Sequence, residues 1–160
     1  MQPRNTRALL SVADGCLVGS LGVSTLAQSN LGTWTLNVAK SKYSNSNPPK
    51  SVTLKIEGSG NVTITTVDLV APDGSTQHWT YRSAYDGRDV PISGNNPNAD
   101  AASRRRISQT TTETTFKKGG KVSTINTAVV SSDGKTMTIT AKGTDAQGKP
   151  VHNVQVYEKK

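Results

Sequence analysis

Apolar and polar residues alternate with a period of two along much of the chain, and this pattern constrains the fold more than any other feature. Trp34 and Leu36, for example, alternate with Thr33 and Thr35. Successive side chains of a β-strand point to opposite faces, so the pattern predicts strands with one buried and one solvated face. The buried face is predicted to hold Trp34, Leu36, Val52, Leu54, Ile56, Val62, Ile64, Met137, Ile139 and Ala141, and the solvated face the residues between them, including Thr63 and Thr65.

Turn sequences separate these segments at the intervals that β-hairpins require. Asp133-Gly134, for example, supplies the positive φ angles of a tight hairpin turn. Serine and threonine form about a quarter of the chain, and threonine favours strands. Residues 38–49, with a helical turn near 38–43, and the polar loop 93–101 are predicted to be irregular. Strands are predicted at residues 32–37, 50–57, 61–70, 75–85, 88–92, 102–109, 111–118, 121–131, 135–143 and 149–158.

A single antiparallel barrel accommodates these segments best. A chain of 160 residues suits one domain, and about ten strands joined by hairpins suit a meander. Closure of the sheet removes the exposed edges that a chain rich in β-forming residues must protect. We therefore predict an all-β, antiparallel up-and-down barrel of about 8–10 strands, with a two-sheet sandwich as the alternative.

The first 27 residues have the order of a secretory signal peptide. Arg4 and Arg7 form a basic start, a mostly apolar stretch follows, and residues 25–27 offer the small side chains that a signal peptidase reads. We predict a signal peptide at residues 1–27, one barrel domain at residues 28–160, and a periplasmic or extracellular location.

Cysteine and charge content narrow the classes of site and partner. Cys16 is the only cysteine, so the mature chain is predicted to hold no disulfide and no thiolate metal site. Lipid attachment at Cys16 is an alternative that the neighbouring charge of Asp14 disfavours. The formal net charge is +8, yet the basic run at residues 104–106 has no aromatic neighbours on which bases would stack. We predict no nucleic-acid partner and no membrane span after signal removal; the sequence indicates no oligomeric state.

The segment Leu31–Asn37, with Gly32 and Trp34, resembles the first strand of the lipocalin and fatty-acid-binding superfamily. The later segments Asp133–Thr138 and Val156–Lys159 are similar to small secreted bacterial lipocalin-like proteins of the calycin type. The resemblance implies that Trp34 closes the floor of a barrel and that an inward arginine holds a ligand carboxylate. The chain departs from these relatives in two places. Its first two strands are too close for the two helices of fatty-acid-binding proteins, and its last strand is followed by no helix.

Three residues are predicted to contact a ligand inside such a barrel. Trp79 and Tyr81 lie on one face of their predicted strand, where their rings either line a cavity or pack in the core. Arg106 is the candidate for the inward arginine that the resemblance implies, and a buried guanidinium requires an anionic partner. Alternatively, Arg106 lies at the rim of the barrel and pairs with Glu113.

The sequence contains no recognisable enzyme or metal motif. His78 and His152 lack a cysteine or carboxylate at ligand spacing, and Asp86 and Asp89 flank a turn, where aspartate is common. No catalytic residue, metal or cofactor is therefore predicted. The predicted function is non-catalytic binding of a small apolar or weakly anionic molecule. Two alternatives remain: a structural or interaction module of the cell envelope with a filled barrel, and a barrel enzyme that acts on a small hydrophobic substrate.

Overall fold

The computed structural model of the protein describes residues 30–45 and 47–160. This part of the chain consists of strands and turns, and it includes no helix of the length and apolarity that a membrane span requires. The predicted signal peptide, residues 1–27, and Cys16 lie outside the described residues. The strands are β1 (Gly32–Lys42), β2 (Ser51–Ser59), β3 (Val62–Val70), β4 (Thr76–Ala84), β5 (Val90–Pro91), β6 (Ser93–Gly94), β7 (Ala101–Arg106), β8 (Thr111–Lys118), β9 (Lys121–Val130), β10 (Thr136–Thr144) and β11 (Pro150–Lys159).

The eleven strands of the described chain belong to one antiparallel sheet that curls into a nearly closed barrel. Consecutive strands pair from β1 to β4 and from β7 to β11, and β1 returns to pair with β11. The predicted all-β, up-and-down barrel is thereby confirmed, and the continuous sheet excludes the sandwich alternative. The number of strands exceeds the predicted range only through β5 and β6, which have two residues each.

The first strand extends further than predicted. The helical turn expected near residues 38–43 is wrong, because β1 continues to Lys42 with a shift of register against β11 that begins after Asn37. Ser41 explains the shift, since its Oγ donates to the Asn37 carbonyl oxygen at 2.7 Å and accepts from the Val156 amide at 3.0 Å. The hydroxyl thus takes the place of a backbone group where the strand bulges.

Residues 90–94 close the barrel by pairing with both edges of the sheet. Val90–Pro91 pairs with β7, and Ser93–Gly94 pairs with β4. The predicted strand 88–92 is therefore shorter than expected, and the predicted loop 93–101 begins with a strand. β4 and β7 are not hydrogen-bonded to each other, and this short segment bridges the gap between them.

Gly94 is the residue whose backbone this closure requires. Its φ is +112°, and a Cβ at this position would collide with the backbone oxygen of His78 on β4. Gly94→Ala is expected to lower the free energy of unfolding by about 2–4 kcal/mol, because left-handed strain and displacement of the packed backbone add. Gly134→Ala is the matched control, since its φ is +70° but its Cβ would meet no atom within 4 Å. Urea unfolding measures both losses; equal losses would contradict the role of Gly94 in closure.

The hydrophobic core lies inside the barrel on strands β1–β3 and β9–β11. Trp34 is fully buried, and its Nε1 donates to the carbonyl oxygen of Asn30 at 2.9 Å. Gly32 starts this strand at a φ of +122°, in the left-handed region that favours glycine. The core consists of Trp34, Leu36, Val52, Leu54, Ile56, Val67, Val130, Met137, Ile139 and Tyr157.

The predicted faces of β3 are wrong. Thr63 and Thr65 are buried inside the barrel, whereas Ile64 is 43% exposed on the outer face. Farther along the strand the inner positions are apolar, at Val67 and Leu69. The inner face of β3 therefore changes from polar to apolar along its length. Its polar half belongs to a polar wall of buried residues, which consists of Thr63, Thr65, Arg104, Thr112 and Thr114.

Candidate functional site

A cavity of about 300 Å³ lies inside the barrel, between the hydrophobic core and the polar wall. Leu54, Val67 and Ile139 contribute to its apolar side, and Arg104 and Thr114 lie on its polar side. A space of this size is at the lower end of the range for small-molecule sites. The cavity reaches the end of the barrel where β1 ends and β11 begins. This end is called the mouth, and the residues Asn45, Asn96, Asn98 and Asn153 line it.

Arg104 is a buried cation in the wall of the cavity. Only 4% of the residue is exposed, and its Nη1 donates to Thr63 Oγ1 at 3.0 Å and to Thr65 Oγ1 at 3.3 Å. The carbon of its guanidinium lies 4.9 Å from the centroid of the Tyr85 ring. The alternation along β7 directs this side chain inward, where the polar half of β3 meets it across the barrel.

No carboxylate of the described chain neutralises Arg104. None of the ion pairs among residues 30–45 and 47–160 includes it, and its Nε is buried without a hydrogen-bond partner. A charge removed from water without a counter-ion costs several kcal/mol. Threonine hydroxyls and the Tyr85 ring offset only part of that cost. The site is therefore electrostatically incomplete and suited to an anion.

Arg106, the arginine predicted to hold a ligand, shares a face of β7 with Arg104 but is not among the residues that line the cavity. Its guanidinium carbon lies 4.4 Å from the centroid of the Tyr85 ring, so this ring contacts both arginines. Glu113 stands opposite Arg105 in the β7–β8 ladder, not opposite Arg106. In the sequence, the two arginines differ only in their position along the strand, since Arg104 lies within β7 and Arg106 is its last residue. Contact between Arg106 and a ligand stays a prediction.

Trp79 and Tyr81, the two aromatic residues predicted to contact a ligand, both line the cavity. Tyr81 is buried and meets Phe116 edge to face, with ring centroids 5.9 Å apart. Trp79 is half-buried and packs against the hydrophobic core, and its Nε1 has no hydrogen-bond partner in the described structure. The sequence left two alternatives for these rings, packing in the core or lining a cavity. In the structure, both rings pack against neighbouring side chains and also line the cavity.

Two tyrosines near the cavity keep their protons at neutral pH. Tyr157 lines the cavity, and burial raises its pKa far above the ordinary value, with a smaller contribution from Tyr43. Burial also raises the pKa of Tyr43, whose hydroxyl accepts from Gln155 Nε2 at 3.2 Å. Neither phenol therefore supplies a base at neutral pH.

His78 and His152 are both exposed, and neither lines the cavity. His78 Nδ1 lies 2.6 Å from Asp68 Oδ1, and both of these side chains are exposed to solvent. In the described part of the chain, no three His, Cys, Asp or Glu side chains converge on a site for a metal ion. The chemistry of the cavity therefore comes from Arg104, from Asp145 at the mouth, from hydroxyls and amides, and from apolar surface.

Comparison with known proteins adds no family assignment. The chain matches no protein-family model and no curated protein sequence. The nearly closed antiparallel barrel is consistent with a calycin-type fold, to whose first strand the segment Leu31–Asn37 is similar. A fold of this kind serves many functions, so the function is inferred from the cavity and from Arg104.

Proposed function

We propose that this protein is an exported barrel that binds one small, largely apolar molecule with a single acidic group. The acid pairs with Arg104, and the apolar part lies against the core side of the cavity. The observation that carries this proposal is a buried guanidinium that faces a cavity and has no carboxylate partner in the described chain. An anionic ligand supplies the missing counter-charge through charge-assisted hydrogen bonds.

The volume of the cavity limits the size of this ligand. About 300 Å³ corresponds to roughly ten water molecules in the liquid, so the ligand has about a dozen non-hydrogen atoms. Arg104 is the fourth residue of β7, a strand that starts at the mouth, and so it lies about 10 Å along the strand from the mouth. A medium-chain acid such as decanoate meets both limits, because ten carbons joined by ~1.5 Å bonds span a similar length.

Two observations favour binding over the alternative functions. A barrel filled by its own side chains, which a structural module would have, leaves no cavity of this size. Catalysis requires a positioned acid, base or nucleophile. In this protein both histidines lie outside the cavity, and the buried Tyr157 in its wall keeps its proton. The one carboxylate that lines the described cavity, Asp145, lies at the mouth and accepts hydrogen bonds from the amides of its own turn. Binding without turnover is therefore the function that the cavity supports best.

Titration of the purified protein with decanoate and with decan-1-ol tests the proposal. The two molecules share an apolar chain, but only decanoate is charged at neutral pH. Decanoate is expected to bind at least about tenfold more tightly, which corresponds to about 1.4 kcal/mol of ion pairing with Arg104. Isothermal titration calorimetry measures both affinities, and the tryptophan fluorescence of a Trp34→Phe variant, which retains only Trp79, reports entry into the cavity. Equal affinities, or binding of neither molecule, would contradict the proposal.

A further inference from the structure

Four asparagines line the mouth of the cavity, and the side-chain oxygen of each accepts a hydrogen bond from a backbone amide. Asn45 follows β1, Asn96 and Asn98 precede β7, and Asn153 lies near the start of β11. All four line the cavity, although they come from three separate segments of the chain. A few convergent polar groups at the opening of an apolar pocket are what fixes the orientation of a small ligand.

Backbone amides engage the side-chain oxygens of two of these asparagines. Asn153 Oδ1 accepts from the Ser44 amide at 3.0 Å, and Asn98 Oδ1 accepts from the Ala146 amide at 2.9 Å. A backbone N–H only donates, so the engaged atom of each side chain is its oxygen. The other polar atom of each asparagine side chain is therefore Nδ2, which is not the atom that the backbone amide contacts.

The same arrangement holds for the other two asparagines. Asn96 Oδ1 accepts from the amides of Asn98 and Ala99 at 2.9 and 3.1 Å, and Asn45 Oδ1 accepts from the Asn47 amide at 3.3 Å. Within the described part of the chain, none of the four Nδ2 groups has a hydrogen bond to another residue. Each Nδ2 carries two donors, and all four residues line the mouth. These N–H groups, which water satisfies at the exposed Asn45 and Asn98, are therefore available to a ligand group at the mouth.

Asp145 is the acidic residue that also lines the mouth. Its Oδ1 accepts from the amides of Gln147 and Lys149 at 2.9 and 2.8 Å, within its own hairpin turn. Its negative charge disfavours a second anionic group beside it. The donors of the mouth therefore suit an acceptor that carries no charge.

We infer that the ligand carries a neutral oxygen group, such as a hydroxyl or a carbonyl, at the end opposite its acid. The inference rests on the proposed function, because it takes Arg104 as the anchor of the acidic end. A terminal methyl group would displace water from the amide donors and return no hydrogen bond, whereas a terminal oxygen accepts from them. The ligand is thus bifunctional, with an acid inside, an apolar middle, and a neutral oxygen at the mouth.

Two acids of equal chain length test the inference. 9-Oxodecanoate offers the mouth a carbonyl oxygen, which only accepts hydrogen bonds, whereas decanoate offers a hydrocarbon end without an acceptor. Neither end is charged, so Asp145 neither attracts nor repels one of the two in particular. The keto acid is expected to bind at least about fivefold more tightly than decanoate. Isothermal titration calorimetry with the full chain measures the two affinities.

Asn153→Asp is the matched variant for this comparison. Aspartate keeps the oxygen that accepts from the Ser44 amide but replaces the Nδ2 donor with a second oxygen. The ratio of the keto-acid affinity to the decanoate affinity is expected to fall to one or below, because the carboxylate has no proton to donate to the carbonyl oxygen at neutral pH. The two probes share the acidic end, so any repulsion of that end by the new charge cancels in the ratio. Asn61→Asp adds the same charge between β2 and β3, at the opposite end of the barrel, and is expected to leave the ratio unchanged.

The outcomes separate this inference from the proposed function. If neither acid binds, the proposed function fails and the inference fails with it. If decanoate binds but the keto acid binds no more tightly than decanoate, the proposed function stands and the inference is overturned. A preference for the keto acid that Asn153→Asp leaves intact also overturns the inference, since the amide donor then has no part in recognition.

Discussion

Arg104→Met is expected to remove the preference for decanoate over decan-1-ol while the barrel stays folded. Loss of one partner of a buried charge pair costs about 2–5 kcal/mol of binding free energy, which lowers the decanoate affinity by about thirtyfold or more. The free energy of unfolding of the ligand-free protein is expected to stay equal or to rise by about 1–4 kcal/mol, because an uncompensated buried charge is replaced by an apolar side chain of similar length. Titration calorimetry and urea unfolding measure the two effects.

Arg106→Met is the matched control for this substitution. Arg106 shares the strand and the face of Arg104, and its guanidinium also contacts Tyr85, but it does not line the cavity. The decanoate affinity is expected to stay within about threefold of that of the unsubstituted protein. A preference that survives without Arg104 and disappears without Arg106 would place the acid at Arg106 and contradict the role given to Arg104.

Trp34→Ala is expected to cause the largest loss of stability of any single substitution in the core. Trp34 is fully buried, belongs to the hydrophobic core, and donates a hydrogen bond to Asn30. Truncation of a buried tryptophan costs about 3–5 kcal/mol, which is a large part of the 5–15 kcal/mol by which domains are typically stable. Urea unfolding followed by far-ultraviolet circular dichroism measures the change.

Ile107→Ala is the control for the tryptophan substitution, because Ile107 is 60% exposed. Its truncation is expected to change the free energy of unfolding by no more than about 0.5 kcal/mol. A loss for Trp34→Ala that matches the small loss for Ile107→Ala would show that the first strand does not anchor the barrel.

The period-two pattern predicted the strands and the barrel because strand formation depends on residues that are close in sequence. Met137 and Ile139 are buried as the pattern predicts. The end of β1 was missed because it depends on a distant partner: Ser41 supports the bulge through Val156 on β11. Closure of the barrel by residues 90–94 depends in the same way on β4 and β7, which the local sequence does not reveal.

The faces of β3 show where a local pattern becomes ambiguous. Val62 and Ile64 alternate in one phase and Val67 and Leu69 in the other, so the sequence contains two opposite indications of the inner face. Arg104 hydrogen-bonds to Thr63 and Thr65, which lie on the same face of β3 as Val67 and Leu69. The inner face is therefore the one that the second phase indicates, but Arg104 comes from a strand far along the chain. The polar inner face is compatible with the fold because Arg104 donates to both threonine hydroxyls and Thr63 in turn donates to the Ser83 carbonyl oxygen.

The candidate site was predicted in part. The alternation along β4 brought Trp79 and Tyr81 together on one face, and both line the cavity. Selection between Arg104 and Arg106 required the depth of each side chain in the barrel, which the sequence does not encode locally. The asparagines of the mouth come from three segments whose approach depends on the complete fold.

A crystal structure of the protein in complex with decanoate tests the central claim most directly. The claim is that Arg104 is the counter-ion of an acidic ligand inside the barrel. The predicted result is a carboxylate within about 2.7–2.9 Å of a guanidinium nitrogen of Arg104, with the carbon chain directed towards the mouth. A carboxylate at the mouth or outside the barrel, with Arg104 still bonded only to Thr63 and Thr65, would contradict it.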